Sequence, residues 1–178
     1  MKITKLQRDL YQFASKSEIR PVLAAVRMNG KVAVATDSFR LVEVTNTSEE
    51  AKAEAPILIT AKSLRAVKMK ESTGAEIVAE GDKMFIRDTL HAFDVQLVEK
   101  STATPDEYPD YAAIWPTGEH QEVTISGQYL GEVLLLLSKL GKHQEVVLRV
   151  YRDAHKPVEI IAKGNGQEAR AMVMQIRK

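Results

Sequence analysis

Apolar residues along this chain recur as one phrase written three times: a helix of about three turns, then three short strands. The first copy opens with a short strand at 1–4 and a helix expected over 5–16. There Leu6, Leu10, Phe13 and Ala14 fall at i, i+4, i+7 and i+8, one stripe of an amphipathic helix, while Lys5, Arg8, Asp9, Gln12 and Lys16 take the opposite face. Pro21 forces an extended lead-in to a strand over 22–28. Asn29-Gly30 is the strongest two-residue hairpin signal in the chain, and it joins that strand to another over 31–36. Asp37-Ser38 turns the chain again, and 40–44 alternates as a half-buried strand.

After a polar connection at 48–55 the phrase restarts. A strand at 56–60 ends on Thr60, a suitable N-cap for a helix over 61–69, and strands follow at 75–80, 83–88 and 90–98, the first two joined by a Gly81-Asp82 turn. The segment 101–107 is polar and holds Pro105, a composition shift that marks a boundary. The third copy opens with a strand at 122–126. Its helix, over 128–140, is the most apolar: Leu130, Val133, Leu134 and Leu137 make the core stripe, Leu135, Leu136 and Leu140 widen it, and Gly141 sits where a C′ glycine belongs. Strands over 145–151, 157–163 and 168–177 finish the pattern, with Gly164-Asn165-Gly166 as a tight hairpin. The fold class is α+β. Each copy buries only one face of its sheet and needs a neighbour, so three copies leave one without a mate.

Composition narrows the functional classes. With 178 residues, 44% of them apolar and 28% charged, the chain is an ordinary soluble protein with length for a real core. It has no cysteine, which excludes disulfides and cysteine-ligated metals and fits a cytoplasmic location. The N-terminus runs into a charged helix rather than a signal peptide, and the most aliphatic run, 133–137, is far too short to span a bilayer. The net charge of +1 means that any affinity for nucleic acid must come from local placement of charge.

Two segments are more specific than any periodicity. One is Arg20-Pro21-Val22-Leu23, followed after the hairpin by Val34-Ala35-Thr36-Asp37-Ser38-Phe39-Arg40-Leu41; the other is Tyr108-Pro109-Asp110-Tyr111-Ala112-Ala113-Ile114-Trp115-Pro116. In this order and spacing the chain resembles the bacterial DNA polymerase III β sliding clamp family. The first segment is similar to the strand–turn–strand of that family's middle domain and the second to the linker into its last domain. The resemblance implies one complete clamp domain over 1–100, a linker over 101–120, and half of a second domain over 121–178. It also implies a non-enzymatic processivity factor that encircles duplex DNA, with double-stranded DNA, DNA polymerase and clamp-loader peptides as partners, and no cofactor. Ring closure would come from oligomerisation as a dimer or tetramer; four chains of three units match the twelve units of a six-domain ring, the third unit pairing with its counterpart on another chain. Carried over residue by residue, the peptide groove comprises Leu23, Thr36, Phe39, Arg40, Leu41, Pro109 and Ile114. The chain departs from the family where Ser38-Phe39 replaces a usual Gly-His and Ala112-Ala113 a frequent basic pair, and no counterpart of the family's C-terminal strand follows Lys178.

The DNA-facing candidates are Lys62, Arg65 and Lys68 at i, i+3 and i+6 on the second helix, with Lys70 just beyond, Lys5 and Arg8 on the first, and Lys139 and Lys142 on the third. Such stripes are ordinary solvated helix faces in most proteins; the resemblance is what turns them toward phosphates, without base readout. Leu23, Leu41 and Ile114 read equally as core, whereas Phe39 and Trp115 beside turns suit a peptide anchor. The histidines at 91, 120, 143 and 155 have no ligand spacing, Asp37 and Asp110 sit where carboxylates cap turns, and no nucleophile–base set is visible. A reading of another class is a clamp-fold interaction module that binds replication or repair proteins without encircling DNA.

Overall fold

In a computed structural model the chain divides into two compact units, Met1–Trp115 and Pro116–Lys178. The structure describes residues 1–17, 19–69, 74–81, 83–88, 95–140, 145–153, 155–164 and 166–176. Lys70, Gly81's neighbour Asp82, the start of the strand expected at 90, Gly141, Lys142, Asn165, His91 and His143 lie outside them.

The first unit is two similar halves. One runs β1 (Lys2–Ile3), α1 (Lys5–Asp9), β2 (Ala25–Met28), β3 (Val32–Thr36) and β4 (Leu41–Thr45). The other runs β5 (Ile57–Thr60), α2 (Ala61–Ala66), β6 (Ala75–Glu80), β7 (Lys83–Asp88) and β8 (Val95–Val98). The strands form two four-stranded sheets, β1-β6-β7-β8 and β4-β3-β2-β5, so each half lends its leading strand to the sheet of the other. β5 lies antiparallel to β2 with Ala25 opposite Thr60, Val26 opposite Ile59 and Met28 opposite Ile57, and β1 pairs Ile3 with Ala75. The side chains that alternate inward, among them Ile3, Val26, Met28, Ile59, Leu64 and Ile86, are fully buried together with Leu10 in one core. Full burial of an aliphatic side chain stabilises by roughly 1.5–3 kcal/mol, so this reciprocal closure holds the halves as one body.

The first helix departs from the expected stripe. Only 5–9 is α-helical; Leu10–Phe13 continues as a 3₁₀ turn, whose tighter winding rotates the later residues relative to the earlier ones. Leu10 and Ala14 are buried as expected, but Leu6 is 64% exposed and Gln7 and Arg8 take its place inside. Gln7 is held there by a capping box: its N–H donates to Thr4 Oγ1 at 3.2 Å, its Oε1 accepts from the Thr4 N–H at 2.9 Å, and its Nε2 donates to the Lys31 carbonyl. α2 stops three residues short of the expected end because Val67 turns extended and buried, and Lys68 is fixed through its backbone by Gln96, which accepts from the N–H at 2.8 Å and donates to the carbonyl at 2.9 Å.

The second unit is a single half. α3 (Gly127–Leu137) is capped by Ser126, whose Oγ accepts from the Tyr129 N–H, and three strands follow, β9 (Glu145–Arg149), β10 (Val158–Gly164) and β11 (Gln167–Val173). They make one sheet in the order β11-β10-β9. Leu137, Val158, Ile160, Ala162 and Val173 form its core, with Leu130, Val133 and Leu140 packed on it. Leu134, expected in the core stripe, is 38% exposed, and Leu135 and Leu136 are more exposed still.

Candidate nucleic-acid and partner-binding surfaces

The first surface is a concavity in the first unit, of about 1040 Å³, lined by the end of the first helical segment, the start of α2 and the strand-end residues 99–102. Lys16, Lys62, Arg65 and Lys100 line it against the single carboxylate of Glu99. Lys62 and Arg65 stand on the solvent face of α2 because Leu64 and Val67 take the buried one, the division expected of an amphipathic helix. None of the ion pairs among the described residues involves Lys62, Arg65 or Lys68. Lys100 joins the group only through the fold; no local pattern in the sequence marks it.

Of the other basic candidates in the first unit, Lys5, Arg8 and Lys68 do not line this concavity. Lys5 pairs with Asp9 at 3.0 Å. Arg8 is buried, paired with Asp9 at 3.0 Å and stacked 5.9 Å from the Tyr11 ring centroid, because the capping box draws that face of α1 inward. Lys68 is exposed but lies beyond the end of α2, and Lys139 is exposed in the 3₁₀ turn that follows α3. Lys142 lies outside the described residues. Among the described residues no cluster of three or more histidine, aspartate or glutamate side chains is arranged to hold a metal.

The second surface is the turn between β3 and β4 with the segment 103–115 beside it. Asp37 organises the turn: its Oδ1 accepts from the Phe39 and Arg40 N–H groups at 3.0 and 2.9 Å, and its Oδ2 accepts from Arg40 Nε and Nη2 at 3.1 and 2.9 Å. Slight burial acts to raise the Asp37 carboxyl pKa, but these donors outweigh it and hold the group below its usual value. They also hold Ser38 at φ 76°, a left-handed conformation that ordinarily favours glycine. The Arg40 guanidinium lies 4.9 Å from the Phe13 ring centroid, and Phe39 at the tip is 94% exposed.

Of the groove candidates, Leu23 and Thr36 are buried, and the Thr36 hydroxyl accepts from the Ser38 N–H. Leu41 is half-buried against a cluster that includes Tyr108 and Tyr111. Arg40, Pro109 and Ile114 are exposed. The residue that organises the segment is Tyr108, whose hydroxyl donates to the Val34 carbonyl at 3.2 Å and whose ring meets Tyr111 edge-on. Burial pushes its phenol far up, so it stays protonated. Residues 101–115 thus fold with the first unit, and the unit boundary falls between Trp115 and Pro116.

The sequence matches no protein-family model and no curated protein. Its structure is similar to those of the DNA polymerase β subunit of Streptococcus pyogenes, at a TM-score of 0.71 and 20% identity, and of the DNA polymerase III β chain of Streptococcus pneumoniae, at 0.69 and 21%. It is also similar to the DNA polymerase sliding clamp of Pseudomonas aeruginosa, at 0.68 and 18%. These alignments cover 99%, 99% and 100% of this chain but only 50%, 49% and 52% of the others, so the chain spans about half the length of the structures it matches. The chain therefore has the fold of the bacterial sliding clamps, over about half of a clamp chain.

Proposed function

We propose that this protein is a clamp-like processivity factor that assembles with further copies of itself around duplex DNA and docks partner proteins. One observation carries the reading: within a clamp fold, the cations Lys16, Lys62, Arg65 and Lys100 converge on one concavity with a single opposing carboxylate. Exposed cations of this kind contact phosphates without reading bases, which suits a protein that must slide. DNA polymerase and clamp-loader peptides are the partners proposed for the turn at Phe39 and Arg40 and the neighbouring Leu41, Pro109 and Ile114. The test compares retention on circular and linear duplexes. Topological binding persists on closed circles and is lost when one cut frees the ends, and the charge reversals K62E, R65E and K100E together abolish loading. Equal retention on both forms overturns the encircling reading. Among simple electrostatic binders, each phosphate contact removed lowers the slope of log affinity on log salt by about 0.9.

A second reading, a clamp-fold module that binds replication proteins without encircling DNA, is favoured by the uneven charge of the three helices. Counted from the N-caps Thr60 and Ser126, the α3 counterparts of Lys62, Arg65 and Lys68 are Gln128, Gly131 and Leu134. If the triple reversal leaves DNA association unchanged while partner binding persists, this reading replaces the first.

A further inference from the structure

We propose that the second unit is completed by the same unit of a second copy of this chain, through two reciprocal strand pairings: residues 123–126 of each copy along β9 of the other. The proposal rests on the oligomeric part of the function proposed above and needs no DNA.

The molecule carries its own template. In the first unit β5 leads into the capped helix α2 and touches the tail of its own half: Ile59 bridges Lys100, and the Ser101 N–H donates to the Leu58 carbonyl at 2.9 Å. In the second unit the segment leading into α3 makes the same contacts. Ile125 bridges Gln175, and the Ile176 N–H donates to the Thr124 carbonyl at 2.7 Å. The caps agree as well, since Thr60 and Ser126 each accept from the N–H three residues on. Thr60 therefore corresponds to Ser126, Ile59 to Ile125 and Leu58 to Thr124. The other edge of β5 is taken up by β2. The position of β2, first strand after the helix and neighbour of the middle strand, belongs in the second unit to β9, which stands at the edge of its sheet with all five residues exposed.

Transferring the observed register predicts the contacts. Val26 opposite Ile59 and Met28 opposite Ile57 become Val146 opposite Ile125 and Leu148 opposite Val123 of the other copy. Val146 and Leu148 are 40% and 56% exposed, yet they stand opposite Ala162 and Ile160 in the sheet and so share the face that α3 covers. Aliphatic side chains thus meet aliphatic ones, and one step further Arg149 meets Glu122, a pair of opposite charge. Each copy carries both the strand and the edge that complement each other, so one two-fold axis satisfies two edges at once, which is why the occupant is a second copy. An open edge rich in valine and leucine is otherwise an aggregation hazard.

The test uses the full chain, which has no cysteine of its own. T124C and V147C are purified separately, mixed and mildly oxidised. The register sets these residues opposite each other on the outer face, within disulfide reach, so a covalent heterodimer is expected on a non-reducing gel. Neither variant alone, nor T124C mixed with V146C, whose side chain points to the opposite face, should give it. L148K, at a site exposed in the single chain, should raise the dimer dissociation constant at least about tenfold, because burying a lysine opposite Val123 costs well over 1.4 kcal/mol. Circular dichroism of L148K checks that the chain still folds. A monomeric mass by light scattering at micromolar concentration overturns both this pairing and the oligomeric reading. An oligomer that fails to cross-link at 124 and 147 overturns the pairing alone. Cross-linking without retention on circular DNA upholds the pairing and removes the encircling reading.

Discussion

The two units use the same helix-and-three-strand half in opposite states of completion. In the first, each half closes the other's sheet with its leading strand, and Ile59 and Leu64 end up fully buried. In the second, one half stands with β9 open, and Leu130, the counterpart of Leu64, is only half-buried. The comparison separates what a half owes to its own helix and strands from what it owes to its mate. Its own contacts suffice to bury Ile160 and Ala162 completely, but they leave Val146, Leu148, Leu135 and Leu136 in water.

The largest way to probe this difference is to remove the counterpart leucines. L64A should destabilise the first unit by about 2–5 kcal/mol, the range for a truncated buried leucine. L130A should cost the isolated second unit about half as much, since less area is lost from water. Hydrogen exchange read separately over α2 and α3 measures both. If the two copies pair as proposed, the L130A deficit also depends on protein concentration, whereas the L64A deficit does not. Equal costs at all concentrations would show that the second half needs no mate.

Much of this architecture was legible in the sequence, because periods of two and of about 3.6 residues follow directly from which side chains face water. The three helix-plus-strands phrases, the Asn29-Gly30 hairpin and the cap at Thr60 are local, and they lie within the segments the pattern marked, except that the strand expected over 122–126 is reduced to a single bridge from Ile125 to Gln175. What the pattern missed depended on distant partners. The inward turn of Gln7 and Arg8 follows from a hydrogen bond to Lys31 and a 3₁₀ segment, neither of which a helical stripe encodes. The stop of α2 before Lys68 depends on Gln96, 28 residues away. Lys100 reached the basic concavity only through the return of the chain after β8, and Tyr108 became an organising residue only because Val34 offers it a carbonyl.

The next probe removes a feature the two units share. T60A and S126A each take away a side-chain oxygen that accepts from a backbone N–H at 3.2 and 3.3 Å. Each should cost about 1 kcal/mol, the usual value of an N-cap. Denaturant titration of the two variants therefore provides a ruler: similar losses confirm that the halves are locally equivalent and that their difference lies in the open edge. A loss at S126A several times that at T60A would mean that the leading segment of the second unit is itself unstable, and would weaken the strand correspondence on which the pairing is built.

The smallest effect distinguishes the outer faces of the sheets. In the first unit the outer face of the β4-β3-β2-β5 sheet packs against Tyr108 and Tyr111, and the buried phenol of Tyr108 does not titrate in acid. In the second it carries Glu159, which accepts from Arg170, Arg149 and Tyr151. The hydrogen bond from Arg170 does most to hold the Glu159 carboxyl below its usual value; partial desolvation opposes it, and Tyr151 and Arg149 add to the lowering. A carboxylate whose folded value is depressed contributes stability above its unfolded value, about 4.3, and loses it as pH falls through the folded value. E159Q should therefore weaken hydrogen-exchange protection of β10 slightly at neutral pH, and the gap from the unsubstituted chain should close below about pH 4. The pair is solvent-exposed on the arginine side, so added salt should shrink the neutral-pH gap as well. A gap that persists unchanged into acid would mean that Glu159 acts through packing rather than charge, and the two outer faces would then differ in composition but not in the kind of force that holds them.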